Sequence, residues 1–158
     1  ARGPEYVKTV VECYREAIDS YLDGTLTEEK KDEWDERLRT VFNRGFWNGY
    51  YLGQRLGEWT RHYGSNATER KVYVGKVTNF FSKISVAEVL VEAAPIDEGE
   101  QLMWMGETTG VVEMPAEGLV LKEQVVKHIP QGVYFSIKVP CRLRRGDKLY
   151  KMVPADEC

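Results

Sequence analysis

Residues Lys71–Ala94, KVYVGKVTNFFSKISVAEVLVEAA, limit what this chain can become more than any other stretch. Two runs of alternating apolar residues flank the polar-aromatic connection Asn79–Phe80–Phe81–Ser82–Lys83. A two-residue period is that of a strand with one face in a core. The stretch therefore reads as the first hairpin of a small antiparallel β-barrel, and the residues after it read as the remaining strands. Val72–Thr78 and Ile84–Ala93 form the hairpin, and Pro95–Glu100 is a turn. Gln101–Met105, Thr109–Met114, a short piece at Gly118–Leu121, Gln124–Ile129, Val133–Ile137 and Lys148–Met152 complete the set. Pro130–Gly132 and Arg144–Asp147 supply further turns. Short strands with turn signals every eight to twelve residues or so favour a barrel or a sandwich.

The residues before this hairpin have a different period. Apolar residues at Tyr6, Val7, Val10, Val11, Tyr14, Ala17, Ile18, Tyr21 and Leu22 recur at helical spacing, with Pro4 suited to the first turn and Gly24 to the stop. Lys8–Glu12 and Arg15–Asp19 are spaced to pair across one helical turn. The apolar stripe calls for a partner surface larger than a small barrel offers. Thr27 is a good N-cap for a second helix, whose narrow apolar face is Trp34, Leu38, Val41 and Phe42. The two helices form an antiparallel hairpin in this reading. Phe42–Gly53, FNRGFWNGYYLG, spaces three glycines by four among aromatics, which suits close backbone packing; beside Arg44 the aromatics could instead hold a base or a peptide side chain. Gln54–Thr68 is polar and glycine-containing and reads as a linker.

Composition narrows the function classes. The 158-residue chain has a formal net charge of −3, so no overall basic field argues for nucleic acid. The charge is unevenly spread, however. No Lys or Arg occurs from Ile84 to Leu121, whereas Lys138–Lys151 carries Lys138, Arg142, Arg144, Arg145, Lys148 and Lys151 against Asp147 alone. Tyr134, Phe135 and Tyr150 interleave with these cations as in single-strand nucleic-acid platforms, and Arg70, Lys71 and Lys76 join them if first and last strands meet. Surface solubility charge is the plainer alternative. Three scattered cysteines without a CxxC pair argue against a disulfide scaffold and a zinc site, and point to a reducing, cytoplasmic setting. No apolar run long enough to span a membrane occurs. Ser82, Ser85, Ser136 and His128 lack any nucleophile-elbow text, and Cys141 beside arginines reads as an inert thiol near a strand end. No catalytic residue, metal site or cofactor motif is assigned.

TVVECYREAID (Thr9–Asp19) and FNRGFWNGYYLG (Phe42–Gly53) resemble the carboxy-terminal segment of the collagenase-like peptidase family U32. In that family a Tyr-Arg-x-Ala-(Ile/Leu)-Asp helix precedes an Arg-Gly-aromatic-x-x-Gly-aromatic element. Tyr14, Arg15, Ala17, Ile18 and Asp19 hold the first set of positions, and Arg44, Gly45, Phe46, Gly49 and Tyr50 the second. YVGKV (Tyr73–Val77) and GDKLYKM (Gly146–Met152) are similar to the opening and closing strands of the family's small carboxy-terminal barrel. The resemblance implies a preceding β/α catalytic barrel, cut away from a chain that starts Ala1–Arg2–Gly3–Pro4. The family's Glu-x-x-x-His-Gly-x-x-Cys type motif has no counterpart here, since His62 and His128 stand alone. Members are peptidases, some collagen-directed, and others are implicated in hydroxylating tRNA or ribosomal RNA.

The expectation is thus an α+β chain: residues 1–68 a helical hairpin and linker that packs on the catalytic domain, residues 69–158 a small β-barrel. It would be a non-catalytic accessory region presenting substrate, or alternatively an RNA-binding module. Its expected partners are the β/α barrel of the same protein and peptide or RNA, with no membrane and a homodimer left open. Candidate binding residues are Arg44, Phe46 and Tyr50 in the first part, and Lys138, Arg142, Arg144, Arg145, Lys148 and Tyr150 in the second.

Overall fold

A computed structural model describes residues 3–46, 53 and 64–155. The chain divides into two compact units, Ala1–Arg70 with Pro154–Cys158, and Lys71–Val153.

The first unit is a helical hairpin. Helix α1 spans Pro4–Leu22, with Pro4 in its first turn and Gly24 leaving it at φ +67°. Helix α2 spans Glu28–Thr40, and the Thr27 hydroxyl accepts the Lys30 N–H at 3.4 Å as an N-cap. Cys13 and Trp34 are the buried residues between them. The Glu16 carboxylate accepts from Trp34 Nε1 at 2.9 Å and from Arg37 at 2.6 Å, tying the helices together. Sequence periodicity carries α2 on to Phe42, but the helix stops at Thr40. The Asn43 side-chain amide donates to the Arg39 and Val41 carbonyls, offering them a partner in place of another helical turn. Beyond it, Thr68 N–H donates to the Arg39 carbonyl at 3.0 Å and Ala155 N–H to the Thr68 carbonyl at 2.9 Å.

The opposite face of α1 has no cover among the described residues of this unit. Val7, Val11, Tyr14, Ile18 and Tyr21 are 55, 59, 63, 52 and 72% exposed. Their alternating spacing of four and three residues is the seam of a coiled coil.

The second unit is built from ten antiparallel strands. In chain order they are β1 (Glu69–Phe81), β2 (Val86–Val91), β3 (Ile96–Asp97), β4 (Gln101–Gly106), β5 (Gly110–Pro115), β6 (Val120–Leu121), β7 (Gln124–Val125), β8 (His128–Ile129), β9 (Tyr134–Lys138) and β10 (Lys148–Pro154). Eight of them form one sheet in the order β5-β4-β10-β1-β2-β9-β6-β7, and β3 pairs with β8 in a separate ribbon. First and last strands are neighbours, β10 beside β1, with Val77 N–H donating to the Asp147 carbonyl at 2.8 Å.

Some expectations need correction. Pro95–Glu100 is more than a turn, because Ile96–Asp97 pairs with His128–Ile129. The expected strand Gln124–Ile129 is broken in two: β7 pairs β6, and the chain then crosses to the ribbon, where Glu98 N–H donates to the Lys127 carbonyl at 2.8 Å. The sheet is also not closed. Among the described residues it ends on β5 at one edge and on the two-residue β7 at the other.

One core fills the unit. Val74, Val77, Val89, Ile96, Trp104, Phe135, Ile137 and Leu149 are each at most 1% exposed and belong to a single cluster. Burial of each such side chain contributes about 1.5–3 kcal/mol. Val74 and Val77 are three residues apart, which strict alternation forbids. The Val74 carbonyl accepts from both Glu92 and Ala93, a bulge carried by the chain leaving β2, and the β1–β2 register shifts again between Val77 and Asn79. Gly75 lets the two strands approach closely, since a Cβ there would overlap the Leu90 carbonyl.

Candidate functional site

Tyr73 and Lys76 of β1 both reach one carboxylate, that of Glu92 just past the end of β2. Tyr73 Oη donates to Glu92 Oε2 at 2.6 Å, and Lys76 Nζ stands 2.6 Å from Glu92 Oε1. Burial, then the bond to Glu92, pushes the Tyr73 phenol from its ordinary 10.0 up to about 12. The Lys76 hydrogen bond, then that of Tyr73, holds Glu92 below the usual carboxylate range. On the adjacent strand Tyr150 meets Tyr73 edge-on, with centroids 5.5 Å apart, and Lys71 Nζ lies 5.2 Å from the Tyr150 ring centroid. Strand alternation sets Lys148 with Tyr150, while Leu149 between them is buried.

The loop between β9 and β10 carries the remaining cations. Val139 and Leu143 anchor it in the core at 3% and 1% exposure, leaving Arg142, Arg144 and Arg145 exposed. Asp147, the buried acid, closes its end: the carboxylate accepts Arg144 N–H at 2.9 Å and the Thr109 hydroxyl at 2.5 Å. Gly146 turns at φ +93° just before it. Lys138, Arg142, Arg144, Arg145 and Lys148 form no ion pair with a described carboxylate, whereas Lys151 pairs with Glu100 at 2.7 Å.

The structure thus sets Lys148 and Tyr150 on one strand face with Tyr73 and Lys71, and puts Arg142, Arg144 and Arg145 on the loop that enters that strand. Lys138 lies at the end of β9, opposite Val86. The expected aromatic interleaving is reduced to Tyr150: Phe135 is in the core, and Tyr134, 56% exposed, is at the other end of β9. Arg44 and Phe46 belong to the first unit, where the Arg39 guanidinium lies 5.2 Å from the Phe46 ring centroid. Tyr50 lies outside the described residues. Sequence reasoning missed Tyr73 and Glu92, because their meeting depends on the hairpin register and on the paired Glu92 and Ala93 bonds to the Val74 carbonyl; Gly75 inside a strand pattern was a local signal.

Conventional catalytic groupings do not assemble among the described residues. His128 Nδ1 contacts Asp97 Oδ1 at 2.7 Å on the exposed ribbon. No group of three His, Cys, Asp or Glu side chains there could hold a metal ion. No helix among the described residues is long and apolar enough to cross a membrane.

Residues 1–61 match the profile of peptidase family U32. A collagenase of Porphyromonas gingivalis (strain ATCC BAA-308 / W83) is 50% identical over 157 residues, covering 99% of this chain and 38% of the relative. An uncharacterised protease of Methanocaldococcus jannaschii is 31% identical over 153 residues, covering 95% of this chain and 37% of the relative. The chain therefore spans about two fifths of the length of the curated relatives it matches. Among solved structures, the C-terminal domain of a candidate U32 peptidase of Geobacillus thermoleovorans aligns with a TM-score of 0.47 at 14% identity, covering 50% of this chain and 90% of that one.

Proposed function

We propose, since the chain belongs to peptidase family U32, that it is the non-catalytic carboxy-terminal accessory region of a larger U32 peptidase. The observation that carries this reading is the uncovered seam of α1, Val7–Val11–Tyr14–Ile18–Tyr21. Five apolar side chains at coiled-coil spacing, each more than half exposed, are costly in water and call for a packed neighbour. The family profile ends at residue 61, so both helices fall inside the segment it matches and the sheet falls beyond it. In this account α1 docks on the catalytic β/α domain of the same polypeptide, in the cytoplasm, and the sheet, an incompletely closed barrel, presents substrate to it. The purified chain, incubated with gelatin, is expected to release no peptides. Cleavage that survives repurification and is lost with the protein would overturn the reading.

A second reading rests on Lys148, on the strand that carries Tyr150, and on Arg144 and Arg145 of the loop entering it, none paired with a described carboxylate: the sheet binds RNA for a modifying enzyme. Titration with a tRNA should then give an affinity that falls as salt rises and drops when Arg144, Arg145 and Lys148 become Ala. Absence of binding at low salt removes this reading.

A further inference from the structure

The turn between β1 and β2 is built to project apolar side chains. Phe81 is 42% exposed and Ile84 61% exposed, on either side of Ser82 and Lys83. Ile84 N–H donates to the Phe81 carbonyl at 3.2 Å, and Ser85 adopts φ +54°, a left-handed conformation that a residue with a Cβ rarely takes. The Ser85 carbonyl in turn accepts Val139 N–H at 2.9 Å, tying this tip to the start of the basic loop. Lys138 stands opposite Val86, the first residue of β2 after the turn. Lys83 and Lys138 thus flank the apolar tip, and Arg142 follows on the loop tied to it at Val139, all exposed and none paired with a described carboxylate.

From this arrangement we infer that the β1–β2 tip docks on an anionic lipid surface. Phe81 and Ile84 enter the boundary between headgroups and acyl chains, and Lys83, Lys138 and Arg142 meet the lipid phosphates. Apolar side chains at a loop tip with a cationic collar suit an interface that is apolar below and anionic above. Nucleic acid fits the same charges less well. Ile84 has no π-face to stack on a base, and the aromatic pair that could stack, Tyr73 and Tyr150, lies on the strands instead of the tip. The absence of a spanning helix has no bearing on surface attachment. The inference goes beyond the accessory role proposed above and does not depend on it.

Sedimentation with vesicles tests it, using phosphatidylglycerol and phosphatidylcholine in equal parts against phosphatidylcholine alone. The chain should sediment with the first and not the second. The Phe81→Ser/Ile84→Ser variant and the Lys83→Gln/Arg142→Gln variant should each weaken binding about tenfold or more. As a check that does not remove the tip, Phe81→Trp should show blue-shifted emission and quenching by brominated acyl chains. Failure to bind anionic vesicles overturns the inference. So does binding that survives the serine changes while the introduced indole stays unquenched, which would be charge adsorption alone. A single-stranded RNA oligonucleotide that binds more tightly than the vesicles and depends on Phe81 would reassign the surface to nucleic acid.

Discussion

The carboxylate of Asp147 occupies the space where a side chain at residue 106 would have to stand, and Gly106 is the residue there. Asp147 is held in place by Thr109 and by the Arg144 N–H, so it cannot swing away without giving up both hydrogen bonds. The end of β4 and the turn into β10 are thereby locked to each other. That lock fixes the loop carrying Arg142, Arg144 and Arg145.

Gly106→Ala should therefore destabilise the sheet by about 1–3 kcal/mol, the usual range for overpacking a filled site. Urea unfolding with an unchanged m-value would read it. A loss below about 0.5 kcal/mol, typical of unconstrained surface sites, would mean that Asp147 moves freely.

The Tyr73–Glu92–Lys76 cluster predicts a pH dependence at each end of the range. The folded Tyr73 pKa, about 12, lies above the ordinary 10.0, so its contribution is complete below pH 10 and is lost as pH rises toward 12. Over that window the parent chain should lose stability more steeply than Tyr73→Phe. Glu92 is shifted the other way, chiefly by Lys76, so its contribution is present above the ordinary 4.5 and fades as pH falls through its lower folded value. Glu92→Gln should flatten the acid limb. Unchanged limbs in both variants would show that the cluster is not formed.

In the helical hairpin Glu16 serves both Trp34 and Arg37, and its carboxyl is held below the usual range first by Arg37 and then by Trp34. Glu16→Ala leaves the indole N–H of Trp34, a residue 8% exposed, without its acceptor. The expected cost is about 1–3 kcal/mol, seen as a lower melting point for helical ellipticity and a red shift of tryptophan emission. Equal melting points would contradict the pairing of α1 with α2 through this carboxylate.

What could be read in the sequence was what local chemistry decides. Pro4, Gly24 and Thr27 bound the helices where capping rules place them, and the short apolar runs within Val86–Val91 and Gln101–Gly106, set off by turn residues, marked those strands. The misses arise where distant residues decide. Ile96 reads as part of a turn until Ile129 pairs with it, and nothing in Gln124–Ile129 marks the crossing from sheet to ribbon. Phe135 looked available to a ligand by its neighbours, yet strand parity puts it in the core. Charge in Lys138–Lys148 was legible; which cations lack partners was not, since Glu100, just before β4, and Glu92, just after β2, reach Lys151 and Lys76.

The central claim is that the apolar seam of α1 is covered in the parent polypeptide. Thiol labelling of Ile18→Cys, with Cys141 and Cys158 replaced by Ser, tests it most directly, because Cys13 is only 2% exposed and burial pushes its thiol up. In the isolated chain the introduced thiol should react as an exposed one, and in the full-length protein about tenfold or more slowly. Equal rates in the two would mean that α1 faces water in both, and the docking of this region on a catalytic domain through that seam would be wrong.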